Sequence, residues 1–344
     1  MEKNKGYSIA IVSTLMVWTV VEYVASNYYS QLDTNDFIVP AKKQVDFSES
    51  AESPGCPDVN TGMMRGRWRK RTLTAQERVN IDTFLKSVRY RVPKPMQRRD
   101  GKCGNVAYEN VYYIRALCNP EGATPCCYVN RCRNKSPNDC KCPNCYDLRN
   151  EIHAEYSTWE PEDSRCQVKN FTAQQACDLL QGLKIAVIGN SFMRHLYTAL
   201  LLLLNNYDSK RVFRAGKPGD ISCDGMYTFS GKACQSKLIR TATLCNDMIR
   251  KRKASWPKLI WFATHKFGIM KSPKMPKQEN SHVAAFNKRM SAALGKYHIP
   301  IFDTYNLTSG VMSMDGAHFG IGVNSMKVQL LLNYLLELKS KLHW

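Results

Sequence analysis

A chain of 344 residues, 44% hydrophobic and 23% charged, has the material for a well-buried core in one large domain or two small ones, and its composition is that of a globular protein rather than a disordered one. Three features depart from the ordinary: 14 cysteines, a formal charge of +20, and an apolar segment near the N-terminus. They bear on compartment and partner, and in a secretory lumen they exclude nucleic acid as the expected target of the positive charge.

Residues 8–25, SIAIVSTLMVWTVVEYVA, follow Lys3 and Lys5, and no Lys or Arg comes after them until Lys42. That asymmetry predicts a cytosolic N-terminus with the body across the membrane. The apolar run before Glu22 is shorter than the roughly 20 residues of a spanning helix. We read it as an uncleaved signal anchor within residues 1–26, with a signal peptide cleaved near Val24-Ala25-Ser26 as the alternative and a buried amphipathic helix as the lesser one. The expectation is a single-pass type II membrane protein of the secretory pathway, in the Golgi, or else a secreted one. Residues 27–55 are polar with little periodicity and read as a stem.

From Cys56 the character changes, and residues 56–180 form a Cys-rich region. Eleven cysteines precede Ser191 and three, Cys223, Cys234 and Cys245, follow it. If all pair, the odd counts demand at least one bridge between the two parts. Cys132, Cys140, Cys142 and Cys145 invite a zinc reading, but their spacing does not match paired C-x2-C ribbons. In an oxidising lumen we read them as disulfides, with no metal expected. Asn134, Asn170 and Asn306 each begin an N-x-S/T sequon for glycosylation there.

The positive charge is concentrated. Residues 61–100 carry 12 Lys or Arg against three acids, and residues 250–278 carry nine against none. Two such stretches predict a field that attracts polyanions, which in a secretory lumen means acidic glycans or anionic lipid surfaces. Arg69-Lys70-Arg71 and Arg98-Arg99 have processing sites as a secondary reading.

After residue 180 apolar strands and helices alternate. Strands are predicted at 185–188, 259–263 and 299–303, and helices at 192–204, 281–294 and 324–342. In the last helix Val328, Leu331, Leu332, Leu335, Leu338 and Leu342 keep a 3.6-residue period, which predicts one buried face. Such alternation predicts a parallel sheet with helices on both faces, whose active site lies at the carboxyl ends of strands.

Ser191 directly follows the first of these strands, in Gly189-Asn190-Ser191, with Arg194 on the ensuing helical turn. Serine acyl transfer needs a base, a group that orients the base, and donors for the oxyanion. A helix start supplies the last through backbone N–H groups and the positive end of the helix dipole. Near the C-terminus Asp315-Gly316-Ala317-His318 offers His318 as base and Asp315, three residues earlier, as its orienter. His195 and His265 are competing bases. Asn190-Ser191 also reads as a simple N-cap.

These motifs resemble those of the PC-esterase branch of the SGNH (GDSL-like) superfamily. That group includes the trichome-birefringence-like polysaccharide O-acetyltransferases, the sialic-acid O-acetyltransferase and the neurexophilin-and-PC-esterase proteins. Gly189-Asn190-Ser191 with Arg194 matches the family's G-D-S-x-x-R, and Asp315 with His318 its D-x-x-H. Gly66-Arg67-Trp68 after Cys56, and Trp159-Glu160-Pro161 before Cys166, fit upstream. Asn190 stands where the family has Asp.

The resemblance implies a three-layer α/β SGNH sandwich over residues 181–344, with the disulfide-rich region packed on it and Ser191, Asp315 and His318 as the triad. It leaves the oxyanion glycine among Gly216, Gly219 and Gly225, and makes Gly225, Thr264, His265 and Arg194 the oxyanion or substrate candidates. The expected function is transfer or removal of an O-acetyl group on a glycan, with no resident cofactor and an acyl donor such as acetyl-CoA. The alternatives are a catalytically silent glycan-binding or adhesion protein, and a lipid or protein esterase. The expected partners are a glycan, acidic by the charge argument, and the membrane through the N-terminal segment.

Overall fold

The computed structural model describes residues 7–13, 55–87, 96–109, 111–181, 183–208, 258–275 and 279–342 as a mixed α/β protein with small sheets and no closed barrel. Its first element is a strand, β1 (Tyr7–Ser13). This corrects the membrane-helix reading of residues 8–25, whose first part is extended. A strand inside a parallel sheet and a membrane helix both read as unbroken apolar runs, and the β-branched Ile9, Ile11 and Val12 favour the strand. Residues 14–54, with the rest of the expected anchor and stem, lie outside the described residues. No described helix is long and apolar enough to cross a membrane.

The Cys-rich region is built from β2 (Gly66–Lys70), helix α1 (Ala75–Ser87), β3 (Ala107–Tyr108), β4 (Val111–Arg115), β5 (Cys126–Tyr128), β6 (Arg131–Arg133) and β7 (Ser157–Pro161). The strands form three antiparallel pairs, β2 with β7, β3 with β4 and β5 with β6. The G-R-W and W-E-P motifs face each other across the first pair: Trp68 lies opposite Trp159, with ring centroids 5.5 Å apart edge to face. Each buried indole N–H finds a carbonyl, Trp159 on Met63 O at 2.9 Å and Trp68 on Leu307 O at 2.8 Å. The second bond reaches across 239 residues and ties this region to the C-terminal half. A Cβ on Gly66 would lie 2.2 Å from Glu160 O, so only glycine lets the two strands pair there.

Five disulfides staple the region: Cys56–Cys166, Cys103–Cys127, Cys118–Cys132, Cys126–Cys140 and Cys142–Cys145. All four cysteines of the zinc reading are therefore disulfide-bonded. The sulfurs of Cys103, Cys118 and Cys132 also cluster, but each belongs to one of these bridges. Cys177 forms no disulfide among the described residues, and Cys223, Cys234 and Cys245 lie outside them. The expected covalent link between the two parts involves these three cysteines and so lies outside the described residues, among which hydrogen bonds and packing join the parts. Asn134, Asn170 and Asn306 are all exposed.

The C-terminal half continues with α2 (Ala173–Leu180), opened by a capping box of Thr172 and Gln175, then β8 (Leu183–Ile188) and α3 (Ser191–Leu204). After residues 209–257, outside the described set, come β9 (Lys258–Phe262), α4 (Asn280–Gly295), β10 (Ile301–Phe302) and α5 (Ile321–Leu342). Their ends fall within a few residues of the sequence expectation; the strand expected at 299–303 keeps only two. β10, β9, β1 and β8 pair in that order as one parallel sheet.

Helix α5 departs from the expectation of one buried face. Val328, Leu331, Leu332 and Leu335 are buried as predicted, but so are Lys327, Gln329, Leu330, Asn333 and Tyr334 on its other sides. Gln329 and Asn333 are satisfied by backbone groups. Gln329 accepts from Phe171 N at 2.7 Å and donates to Phe171 O, and Asn333 does the same with Lys169. Glu337 accepts from Val59 N at 3.0 Å, and Glu155 accepts from Gly322 N at 3.2 Å. The upstream region thus covers the side of α5 that periodicity assigned to water.

The covalent frame is directly testable. Non-reducing peptide mapping is expected to join the Cys56 and Cys166 peptides and to find Cys177 in none of the five bridges. That bridge spans 110 residues. Replacing both of its cysteines with alanine is expected to cost about 2–5 kcal/mol in equilibrium denaturation.

Candidate active site

Ser191 is the first residue of α3, immediately beyond β8. Asn190 is the N-cap in extended backbone, and its Oδ1 accepts from the Phe192 amide at 3.0 Å. An amide at a helix start has no intrahelical acceptor and carries the positive end of the helix dipole. With the Phe192 amide bonded to the cap, the Ser191 amide is the donor this turn can offer to an oxyanion beside Oγ.

Asp315 and His318 sit on a hairpin closed by the bridge between Ser313 and Phe319 and by Met314 N donating to His318 O at 2.7 Å. The structure brings them to Ser191 across 127 residues. Asp315 Oδ2 lies 2.7 Å from His318 Nδ1, and His318 Nε2 lies 2.7 Å from Ser191 Oγ. A carboxylate only accepts, so Nδ1 carries the proton and Nε2 accepts from the serine hydroxyl. Asp315 Oδ1 also accepts from the amides of Ala317 at 2.9 Å and His318 at 2.8 Å. Burial pushes the Asp315 carboxyl up, but the hydrogen bond and charge of His318, together with these amides, outweigh it and hold the pKa at about 2. The His318 and Asp315 side chains are 25% and 30% exposed, so the pair is reachable from solvent.

The hairpin is fixed from the 263–271 segment. Gly316 has φ +86°, and a Cβ there would lie 2.3 Å from Lys271 N, so glycine is required on both counts. Its N–H donates to Ser313 Oγ at 3.1 Å, and its carbonyl accepts from Gly268 N at 2.9 Å. The segment is in turn held from α4. Asn287 bonds both backbone groups of Thr264, and Asn280 both backbone groups of Phe267.

The remaining candidates divide. His265 is buried, with Nε2 2.8 Å from Ala317 O and Nδ1 3.0 Å from Lys327 Nζ. Both nitrogens are engaged, which corrects its reading as an oxyanion or substrate donor and as a competing base. The backbone of Thr264 is likewise bonded to Asn287. His195 stands with its ring 5.2 Å from that of His318. Burial, then the neighbouring His318 and Arg194, pushes its pKa down to about 3, and it is His318 that lies on Ser191 Oγ. Phe192 flanks His318 at 5.4 Å, and the two rings confine the imidazole. Arg194 is half-buried on the first turn of α3. Gly216, Gly219 and Gly225 lie outside the described residues.

Sequence reasoning missed Asn280, Asn287 and Lys327. The only available signal was a polar residue at an inward helical position. No protein-family model, curated protein or solved structure matches the chain.

Two outcomes follow from this geometry. Gly316→Ala is expected to destabilise the protein by at least about 2 kcal/mol in equilibrium denaturation, through the left-handed backbone and the clash. Because the folded pKa of Asp315 is depressed below 3.8, its stabilising contribution is complete above that value and is lost as pH falls toward about 2. A carboxyl 13C titration is expected to show that low midpoint in the wild type and an upward move in His318→Ala.

Proposed function

We propose that the chain is a serine-dependent O-acyltransferase or acetylesterase acting on glycans, with an SGNH-type three-layer arrangement of its C-terminal half. The observation that carries this reading is the unbroken series Ser191 Oγ, His318 Nε2, His318 Nδ1 and Asp315 Oδ2, with 2.7 Å at each hydrogen bond. The placement of the serine between a parallel strand and a helix N-terminus supports it further.

In this mechanism Ser191 Oγ attacks the carbonyl carbon of an acetyl donor while His318 Nε2 takes the hydroxyl proton. Asp315 holds the ring with Nε2 facing the serine and stabilises the imidazolium. The oxyanion develops beside the Ser191 amide and the positive end of α3. Collapse breaks the bond to the leaving group, which receives the proton from His318 and leaves an acetyl-serine. A sugar hydroxyl or water then gives its proton to His318 and attacks that ester, and the proton returns to Ser191 as the acyl–serine bond breaks.

The charge supports an anionic acceptor. A cleft of 880 Å³ abuts Ser313, Met314 and Gly320 at the base of the catalytic hairpin and carries Lys70, Arg71 and Arg78. Arg149 joins these cations, against the acids Glu121, Glu151 and Glu155, and burial pushes the Glu151 pKa up to about 7. The balance there is cationic at neutral and mildly acidic pH. The five disulfides and the exposed sequon asparagines support an oxidising secretory lumen.

The test is covalent labelling of the full chain by a fluorophosphonate. Labelling is expected in the wild type and absent in Ser191→Ala and His318→Ala. Asp315→Asn is expected to slow it by about 10³–10⁴-fold, because the amide favours the wrong tautomer. No labelling of folded, oxidised wild type would sink the acyl-transfer reading in favour of a glycan-binding protein.

A further inference from the structure

A lysine buried in the interior needs a reason. Lys327 lies on α5 with 6% exposure, and burial lowers its pKa to about 7. Among the described residues no carboxylate offsets that burial. Its Nζ is 3.0 Å from Nδ1 of His265, itself 4% exposed, and His265 Nε2 is 2.8 Å from the carbonyl of Ala317. Ala317 precedes His318, and its own amide is one of the donors that fix Asp315.

The protons in this series can be assigned. A carbonyl only accepts, so His265 Nε2 bears the hydrogen. In a neutral ring protonated there, Nδ1 is the acceptor and Lys327 Nζ donates to it. The direction of the His265 pKa agrees: burial first, then Lys327, push it well below its ordinary value. The ring is further held by Phe192 at 4.2 Å and Phe319 at 5.1 Å.

We infer that Lys327 and His265 form a buried positioning pair which, resting on the acyl-transfer reading, pins the Ala317 carbonyl and thereby sets the distance between His318 and Ser191. Neither residue touches the reacting atoms. Lys327 fixes the tautomer of His265, His265 fixes the backbone of the hairpin, and the hairpin presents Asp315 and His318 as a unit. The connection runs from the interior of α5 to the base through two hydrogen bonds, with no side chain exposed on the way.

The experiment compares the full-length wild type with Lys327→Met, His265→Phe and His265→Gln. Methionine replaces a buried cation with an apolar chain of similar length, which removes the desolvation cost of the charge but leaves His265 Nδ1 without its donor, two opposing effects of about 1–3 kcal/mol. Its melting temperature is expected within about 3 °C of the wild type. The second-order rate of phosphonate labelling at Ser191 is expected to fall about 10- to 100-fold in Lys327→Met and His265→Phe, the effect of a small displacement of the base. His265→Gln retains an amide donor for Ala317 O and is expected to recover labelling to within about threefold of the wild type, which loss of packing alone would not permit.

A second readout is independent of activity. The low-field proton on His318 Nδ1 is expected to persist in His265→Gln and to shift or vanish in His265→Phe, and 15N histidine spectra of the wild type are expected to show His265 protonated on Nε2 alone. Wild type that does not label at all would remove the acyl-transfer reading, and these spectra would still judge the pair. Labelling rates unchanged in Lys327→Met and His265→Phe would overturn the inference. So would a His318 proton unmoved in His265→Phe, or a His265 protonated on Nδ1.

Discussion

Helix α5 has no solvent face along its middle turns, and most of the molecule's organisation follows from that constraint. A helix buried on one side can leave its polar residues in water. One buried all round must give each a partner, since an unpaired polar group costs about 1–3 kcal/mol in such a place. On α5 nearly every partner is a backbone group of another segment. Gln329 and Asn333 hold residues 169–171, Glu337 holds Val59, and Gly322 is held by Glu155. At the start of the helix Asn324 donates to the carbonyls of Phe319 and Gly320, where the hairpin enters. The same helix therefore binds the Cys-rich region to the sheet-bearing half and fixes the exit of the segment that carries Asp315 and His318.

Holding His318 is a harder task than holding Ser191. Ser191 needs only a strand that stops and a helix that starts, and the N-cap at Asn190 makes that junction. His318 lies on a hairpin with little regular structure of its own. Its position depends on bonds to successive backbone groups: Gly316 N to Ser313, Gly316 O to Gly268, Ala317 O to His265, and the Ala317 and His318 amides to Asp315. Asparagines on α4 then brace the segment behind it. The 2.7 Å contact between Ser191 and His318 is the meeting point of two chains of local constraints.

What the sequence made legible corresponds to what is local. The run into Gly189-Asn190-Ser191 and the D-x-x-H spacing each specify a short geometry, and their residues lie together in the fold. The helix at 324–342 was readable from its period and those at 192–204 and 281–294 from their alternation with strands, because apolar spacing reports an inward face. Period could not report that the opposite face of α5 is covered too, since Gln329 and Asn333 look like surface residues until the upstream segment is in place. The same ambiguity misled at the N-terminus, where the run from Ser8 suits a membrane helix and a strand between parallel neighbours alike. His265 was rightly placed just beyond a strand at the rim of the site but given the wrong task. Sequence could not show that Lys327, 62 residues away, would occupy its second nitrogen.

The asparagine at 190 gains a physical reading from this geometry. Its side-chain oxygen accepts from the Phe192 amide, the task that an aspartate at an N-cap would also perform. The difference is charge. An aspartate here would set a full negative charge against the helix end where, in the proposed mechanism, the substrate's oxyanion forms beside the Ser191 amide, and would offset part of the positive potential that α3 supplies. Asparagine gives the same cap without that repulsion. The field at Ser191 is then set by the helix terminus, with the anionic member of the triad held on the far side of the imidazole. Asp315 is held there by two backbone amides and the His318 ring, so in the proposed mechanism its charge stabilises the imidazolium from the side of the ring away from the developing oxyanion.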